Sequence, residues 1–235
     1  MDFSLSELEL MAVKLSLEVG FWSVFCSLPF ALFFGWLLAR FDFIGKSLLD
    51  GLIHLPLVVP PVVTGYLLLL LFGKKNGIFG QWLYDTFSFT FAFNEKGAAL
   101  ASAVVSFPLI VRAIRLSIES VDTGLEQAAK TLGASSFYTF ITITIPLSLS
   151  GIISGIVLGF ARSLGEFGAT VTFVGNTAGI TQTLPLALSS ALQIPGEELA
   201  AGKLAIISLI LAFSSLIISE YFARRVKKLR LGIDK

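Results

Sequence analysis

Residues 120–146 read SVDTGLEQAAKTLGASSFYTFITITIP, a polar segment that runs into a long apolar one. Thr123 followed by Glu126 matches a capping box and predicts that a helix starts here. One face of this helix is apolar, with apolar residues at helical spacing: Leu125, Ala128, Ala129 and Leu132. Glu126, Gln127 and Lys130 take the other side. The pattern predicts a short amphipathic helix between two apolar stretches.

The expected end of this helix is Gly133, which stands where a left-handed C-terminal cap is needed. Ser135 or Ser136 can then cap a second helix that leads into the apolar stretch. A helix this short and this weakly apolar is not stable alone. We therefore expect it to bind in a groove of a partner protein.

The composition identifies the class of protein. The chain has 235 residues, of which 55% are hydrophobic and 14% are charged. Soluble domains typically have about 25% charged residues, so this chain has too few charges to cover a globule with a polar shell. Its 22 Phe against 4 Tyr suit contact with lipid, because Phe needs no hydrogen-bond partner. The composition indicates an integral membrane protein and argues against a soluble enzyme or a nucleic-acid-binding protein.

Apolar intervals predict an all-α bundle of five to six membrane-spanning helices in a single domain over residues 1–235. Crossing the hydrocarbon region takes about 20 residues. Five intervals meet this length alone or with their flanks: residues 19–39, 51–73, 97–111, 140–161 and 204–219. A sixth interval, 167–196, is rich in Gly, Pro and hydroxyl side chains. It predicts a re-entrant or broken element, because irregular backbone at that depth needs protein or water around it.

Basic residues suggest an orientation. The heaviest cluster is Arg224, Arg225, Lys227, Lys228 and Arg230, and such clusters favour the cytoplasmic side. Five spans then place the N-terminus outside, whereas a membrane hairpin at residues 77–93 would make six spans with the N-terminus inside. The N-terminus itself is acidic, so we expect no cleavable signal peptide.

The segment at residues 120–146 is similar to the EAA loop of the permeases of ABC importers. That pattern reads Glu-Ala-Ala, three residues, Gly, nine residues, Ile, any residue, Leu, Pro. The chain departs from it at Gln127, with Glu126 just before, and at Ile145. The resemblance implies that segment 120–137 couples the permease to an ATPase, through Glu126, Gln127, Ala128, Ala129, Gly133, Ile143 and Pro146.

The same resemblance implies a type I ABC importer permease fold and several partners. These are two cytoplasmic ATPase subunits, a second permease copy in a homodimer, an external binding protein and membrane lipid, in the cytoplasmic (inner) membrane of a prokaryote. Residues 54–66 and 160–175 look like permeases for tetrahedral oxyanions. The short length and the opening of the chain look closest to the molybdate branch, with tungstate as a related substrate. Alternatives are a sulfate or thiosulfate permease and a secondary anion transporter, although the repeats typical of the latter are not found.

No catalytic residue, cofactor site or metal site is predicted. Gly45-Lys46-Ser47 resembles the end of a phosphate-binding loop, but Arg40 stands where that loop needs glycine. ATP hydrolysis is therefore expected on a separate subunit. His54 is the only histidine of the chain, which argues against metal binding.

Candidate residues of a translocation pathway lie in the later helices and at one proline cluster. Pro56, Pro60 and Pro61 predict a break in their span, either as a packing kink or as part of the pathway. Arg162 and Glu166 are spaced for an ion pair on a helix. The hydroxyl-rich sixth interval adds Thr170, Thr172 and Thr183.

Two further sequence features predict burial rather than function. Gly151, Gly155 and Gly159 form a stripe that predicts close helix packing. The single cysteine, Cys26, is expected to be a small buried residue.

Overall fold

The computed structural model describes residues 5–75 and 77–231, and the elements in those ranges are helical. The helices, in chain order, are α1 Glu7–Arg40, α2 Lys46–Val58, α3 Pro61–Phe72, α4 Gly80–Phe87, α5 Glu95–Glu119, α6 Thr123–Thr131, α7 Ser136–Thr139, α8 Ile145–Leu164, α9 Gly168–Val174, α10 Leu184–Ala191 and α11 Glu198–Leu231. A π-helical turn, Phe140–Thr144, joins α7 to α8 without a break. The all-α fold agrees with the sequence prediction.

Four stretches are long and apolar enough to cross a membrane, and a bent pair of helices would make a fifth. The four are Glu7–Arg40, Glu95–Glu119, Ser136–Leu164 and Glu198–Ile218. The stretch expected to form a hairpin, residues 77–93, contains the short helix α4 and no pair of spanning helices among its described residues. The arrangement of six spans built on that hairpin is therefore wrong. The C-terminal basic cluster lies outside the side chains that the structure describes.

The span expected over residues 51–73 is not one straight helix. Helices α2 and α3 meet at an angle of 114°. Val59 and Pro60 both have extended backbone, because the residue before a proline avoids the helical region and each of these residues precedes one. Pro61 then begins α3, where its missing N–H is harmless. The Pro60–Pro61 pair therefore makes the predicted break, whereas the prediction is wrong for Pro56, which lies inside α2.

The interval 167–196 is a broken element, as predicted. It contains two short helices, α9 and α10, separated by irregular backbone. Gly175 and Gly179 have φ values of 80° and 75°, in the left-handed region that glycine adopts at little steric penalty.

Helix α5 lies at the centre of the bundle and packs against α1 and α8. Its apolar side chains Ile110, Val111, Ile114 and Ile118 are buried. The glycine stripe of α8 allows this packing: a Cβ on Gly159 would lie 2.6 Å from Ile110 Cδ1, and one on Gly151 would collide with Ser117. The packing prediction for the stripe is confirmed. The burial prediction for Cys26 is wrong, because this residue lies on an exposed face of α1.

Candidate functional site

Helix α6 starts at a different cap from the one that the sequence predicted. Asp122 is the N-cap, and its carboxylate accepts a hydrogen bond from the Gly124 N–H at 2.8 Å. Thr123 is the first helical residue. The predicted Thr123–Glu126 capping box is therefore wrong, because an aspartate one position earlier caps the helix and the Glu126 side chain points to other partners.

The end of α6 follows the prediction. Gly133 has a φ of 90°, and its N–H donates to the Lys130 carbonyl at 3.0 Å. The Ala134 N–H donates to the Ala129 carbonyl, also at 3.0 Å. These two bonds form a Schellman motif, which satisfies carbonyls that a helix end leaves free. Ser135 rather than Ser136 caps the next helix, since its Oγ accepts from the Tyr138 N–H at 3.2 Å.

The apolar face of α6 is not covered by the other residues that the structure describes. No residue of this helix is buried, and Leu125 and Leu132 are 49% and 89% exposed. Phe137 and Tyr138, which follow the glycine bend, are exposed as well. Gln127 and Ala128 are exposed, Ala129 and Ile143 are half-buried, and Pro146 is exposed in the first turn of α8. The segment therefore presents an apolar surface that a partner could cover.

Glu126 joins α6 to two other parts of the molecule. Its Oε1 accepts hydrogen bonds from Arg40 Nη2 at 3.0 Å and Arg40 Nε at 3.2 Å. The same oxygen accepts a hydrogen bond from the Thr144 hydroxyl at 2.7 Å. Arg40 Nη2 also donates to the Val121 carbonyl at 3.0 Å. The side chains of Arg40 and Glu126 are only 12% and 13% exposed.

Arg40 and Thr144 were not among the functional residues predicted from the sequence. Arg40 and Glu126 are 86 positions apart, so no helical spacing relates them. The one local signal was the position of Arg40, a charged residue at the end of an apolar helix in a chain with few charges.

Two further sets of ion pairs lie on the loops and helix ends near Arg40. Arg115 contacts Asp50 and Glu119 through Nη1 and Nε, at 3.0 Å and 2.8 Å. Lys46 Nζ lies 2.8 Å from Asp42 Oδ1 in the turn after α1. That hydrogen bond, and then the positive charge of Lys46, lower the pKa of Asp42.

Arg162 and Glu166 form the predicted pair. Arg162 Nη1 lies 2.8 Å from Glu166 Oε2, and the glutamate side chain is only 1% exposed. Glu166 Oε1 also accepts a hydrogen bond from the Ala169 N–H at 2.9 Å. One carboxylate therefore holds both the end of α8 and the first turn of α9.

The break at Pro60 and Pro61 packs against the same turn of α9. A Cβ on Gly168 would lie 2.8 Å from Pro61 Cβ, and one on Gly65 would lie 2.8 Å from Thr172 Cβ. The Thr172 hydroxyl donates to the Gly168 carbonyl at 2.8 Å. The structure thus brings the proline break, the Arg162–Glu166 pair and Thr172 together.

Thr170 and Thr183 are buried hydroxyl residues on the broken element. Their Oγ1 atoms have no hydrogen-bond partner within residues 5–75 and 77–231. Thr183 directly precedes α10, where the Leu184 N–H donates to Ser16 Oγ of α1 at 2.6 Å. Buried polar atoms without partners are uncommon in native proteins. The buried hydroxyls of Ser102, Thr139 and Ser148 likewise have no partner among the described residues.

No group of His, Cys, Asp and Glu that could hold a metal ion occurs in the part of the chain that the structure describes. His54 Nδ1 lies 2.9 Å from the Asp50 carbonyl oxygen, one turn earlier on α2. This contact holds the His54 ring against the preceding turn of α2.

Comparisons with known proteins agree with this architecture. A family model described as "Binding-protein-dependent transport system inner membrane component" matches residues 31–228. The molybdenum transport system permease protein ModB of Haemophilus influenzae is 58% identical over 225 residues, which cover 96% of this chain and 97% of that protein. The sulfate transport system permease protein CysT of Escherichia coli is 35% identical over 218 residues, 92% of this chain and 78% of that protein.

A solved structure shows the same fold at low identity. It is a bacterial alginate ABC transporter in complex with its alginate pentasaccharide-bound periplasmic protein. The TM-score is 0.75 at 15% identity, over 95% of this chain and 81% of that one. This likeness concerns the fold alone.

Proposed function

The chain belongs to the family of inner membrane components of binding-protein-dependent transport systems, and on that premise we propose that it is the permease subunit of an ATP-driven importer of molybdate. The assignment of molybdate as the substrate rests on the similarity of this chain to a molybdenum permease along nearly the whole length of both chains. Similarity to a sulfate permease is weaker and leaves part of that protein unmatched. Tungstate, which has the same shape and charge as molybdate, is the expected second substrate.

The uncovered face of α6 supports an ATPase partner. An amphipathic helix with an exposed apolar face binds in a groove of another protein. We assign this groove to a cytoplasmic ATPase subunit, with two such subunits serving two copies of the permease. An external binding protein delivers the oxyanion to the other side. This arrangement places α6 and the C-terminus in the cytoplasm.

The pathway is proposed to run along the broken element. Molybdate is a dianion, and an unpaired lysine or arginine in the pore would hold it too tightly for release. Arg162 is neutralised by Glu166 at 2.8 Å. Thr170 and Thr183 carry buried hydroxyls without partners among the described residues. Neutral donors of this kind can bind an oxyanion briefly and let it pass.

The test is reconstitution of the permease with its ATPase subunits and binding protein in lipid vesicles. We expect ATP-dependent uptake of molybdate and stimulation of ATP hydrolysis by molybdate, with sulfate at the same concentration giving neither. The permease alone should not hydrolyse ATP. Stimulation by sulfate but not by molybdate would identify a sulfate permease instead. Uptake driven by an ion gradient without ATP would identify a secondary transporter.

A further inference from the structure

Few contacts hold helix α6 in its position. None of its residues is buried, and short loops connect it to α5 and α7. Glu126 is an exception, since its carboxylate reaches Arg40 at the end of α1 and Thr144 before α8. We define these three residues as the Glu126 junction.

The Glu126 junction resists separation because it is shielded from water. Both charged side chains are largely covered, at 12% and 13% exposure. Taking one partner away would leave the other as a largely covered charge without compensation, which is unfavourable. Hydrogen bonds to ionised groups are also stronger than those between neutral groups. A force that displaces α6 must therefore also displace the end of α1 or the start of α8.

The third partner lies at an irregular point of the backbone. Thr144 is the last residue of the π-helical turn, where the Ile145 N–H donates to the Phe140 carbonyl. Pro146 follows and has no N–H to donate to that turn. π-Helical turns are rare and are often found at functional sites. A shift of Thr144 can thus move this turn and, because α8 continues directly from it, reach α8.

We propose that Arg40 and Thr144 are positioning residues that transmit the motion of α6 to the membrane-spanning helices through Glu126. The inference rests on the proposed function, since it assumes that an ATPase moves α6. It adds a route inside the permease: α6 pulls on α1 through the Arg40 guanidinium and on α8 through the Thr144 hydroxyl. Neither residue faces the surface that we assign to the ATPase.

The test compares Arg40→Gln with Arg115→Gln in the complete complex in vesicles. Both changes remove an arginine that contacts carboxylates at 3.0 Å or less, but Arg115 contacts Asp50 and Glu119 and not α6. For Arg40→Gln we expect the ATP hydrolysed per molybdate taken up to rise about tenfold, within the range of coupling between distant sites. Arg115→Gln should leave this ratio unchanged. An unchanged ratio in Arg40→Gln, or an equal rise in both, would overturn the inference.

Thr144→Val provides a second variant, should Arg40→Gln assemble poorly. Valine keeps the shape of the side chain and removes one hydrogen bond to Glu126. The ratio of ATP to molybdate should rise about fivefold, as expected for the loss of a single hydrogen bond of typical strength. A ratio equal to that of the wild type would contradict a role for Thr144.

Hydrogen exchange tests the junction without any transport. Amides of residues 123–134 should exchange faster in Arg40→Gln than in the wild type, whereas Arg115→Gln should not change them. Equal exchange in all three proteins would overturn the inference. A wild-type complex that takes up no molybdate would instead overturn the proposed function, and the exchange comparison would then decide the inference alone.

Discussion

Glu166 is a buried carboxylate with two separate tasks. One oxygen pairs with Arg162 at 2.8 Å, and the other accepts the Ala169 N–H at 2.9 Å. A buried charge is stable only when paired and hydrogen-bonded. Glu166 therefore fixes the corner between α8 and α9, and this corner also packs against Pro61.

This arrangement predicts strong coupling between the two residues. Arg162→Ala leaves a buried carboxylate unpaired and should destabilise the protein by on the order of 3 kcal/mol. Adding Glu166→Gln removes the charge and keeps an acceptor for Ala169, so the double variant should be more stable than Arg162→Ala alone. Thermal unfolding in detergent measures the stability of Arg162→Ala and of the double variant. Simple additivity of the two single changes would contradict the pairing.

At the scale of elements, α6 depends on its two ends. Asp122 caps its start, and Gly133 ends it in the left-handed region at a φ of 90°. A Cβ at Gly133 would meet nothing within 4 Å, so only the backbone conformation is strained by a larger residue. The glycine therefore sets the angle between α6 and α7 without contributing to packing.

Gly133→Val should separate coupling from assembly. A β-branched residue in the left-handed region has a steric cost of roughly 1–2 kcal/mol, which is small beside the stability of the bundle. We expect near-normal expression but loss of ATP-dependent uptake. The angle between α6 and α7 should change, and the apolar face of α6 would then no longer fit its partner. Uptake in vesicles and the amount of permease in the membrane are the two measurements.

Two control variants make this prediction sharp. Gly133→Asn should behave almost as the wild type, because asparagine tolerates the left-handed region. Gly155→Val should instead lower expression, since a Cβ there lies 3.2 Å from the Ile110 carbonyl oxygen of α5. Wild-type uptake by a well-expressed Gly133→Val permease would show that the segment is only a connector.

At the scale of the whole molecule, the bundle is organised around α5, which packs against both α1 and α8. The Arg40–Glu126 contact places the end of α1 and the start of α6 at the same end of this bundle. Helix α4 lies between α3 and α5, on the connection at their other end. The proposed orientation puts α6 inside the cell and α4 outside.

Single cysteines can check this orientation in a Cys26→Ala background. Leu132 and Phe87 are 89% and 64% exposed, so a cysteine at either position is accessible to a reagent on its side. Phe87→Cys should react with an impermeant maleimide on intact cells. Leu132→Cys should react only in inside-out vesicles of permease expressed without its partners. The reverse pattern would show that the orientation is wrong.

Features that depend on neighbours in the chain follow from the amino-acid sequence alone. Sparse charge required a membrane protein, and apolar length marked its spans. The pattern around α6 predicted a short helix that ends at Gly133, because a positive φ and helical spacing are local properties. The Pro60–Pro61 break and the Arg162–Glu166 pair follow from equally local rules.

Only the tertiary structure decided which distant side chains meet. Glu126 looked like a partner of Thr123, but its carboxylate binds Arg40, 86 positions away, and Thr144. Cys26 looked like a core residue, yet it lies on an exposed face of α1. The break at Pro60 and Pro61 was predicted, but its neighbour was not: Pro61 packs against Gly168 of α9. Such contacts depend on how helices pack, and the periodicity within one helix does not specify which neighbour each face meets.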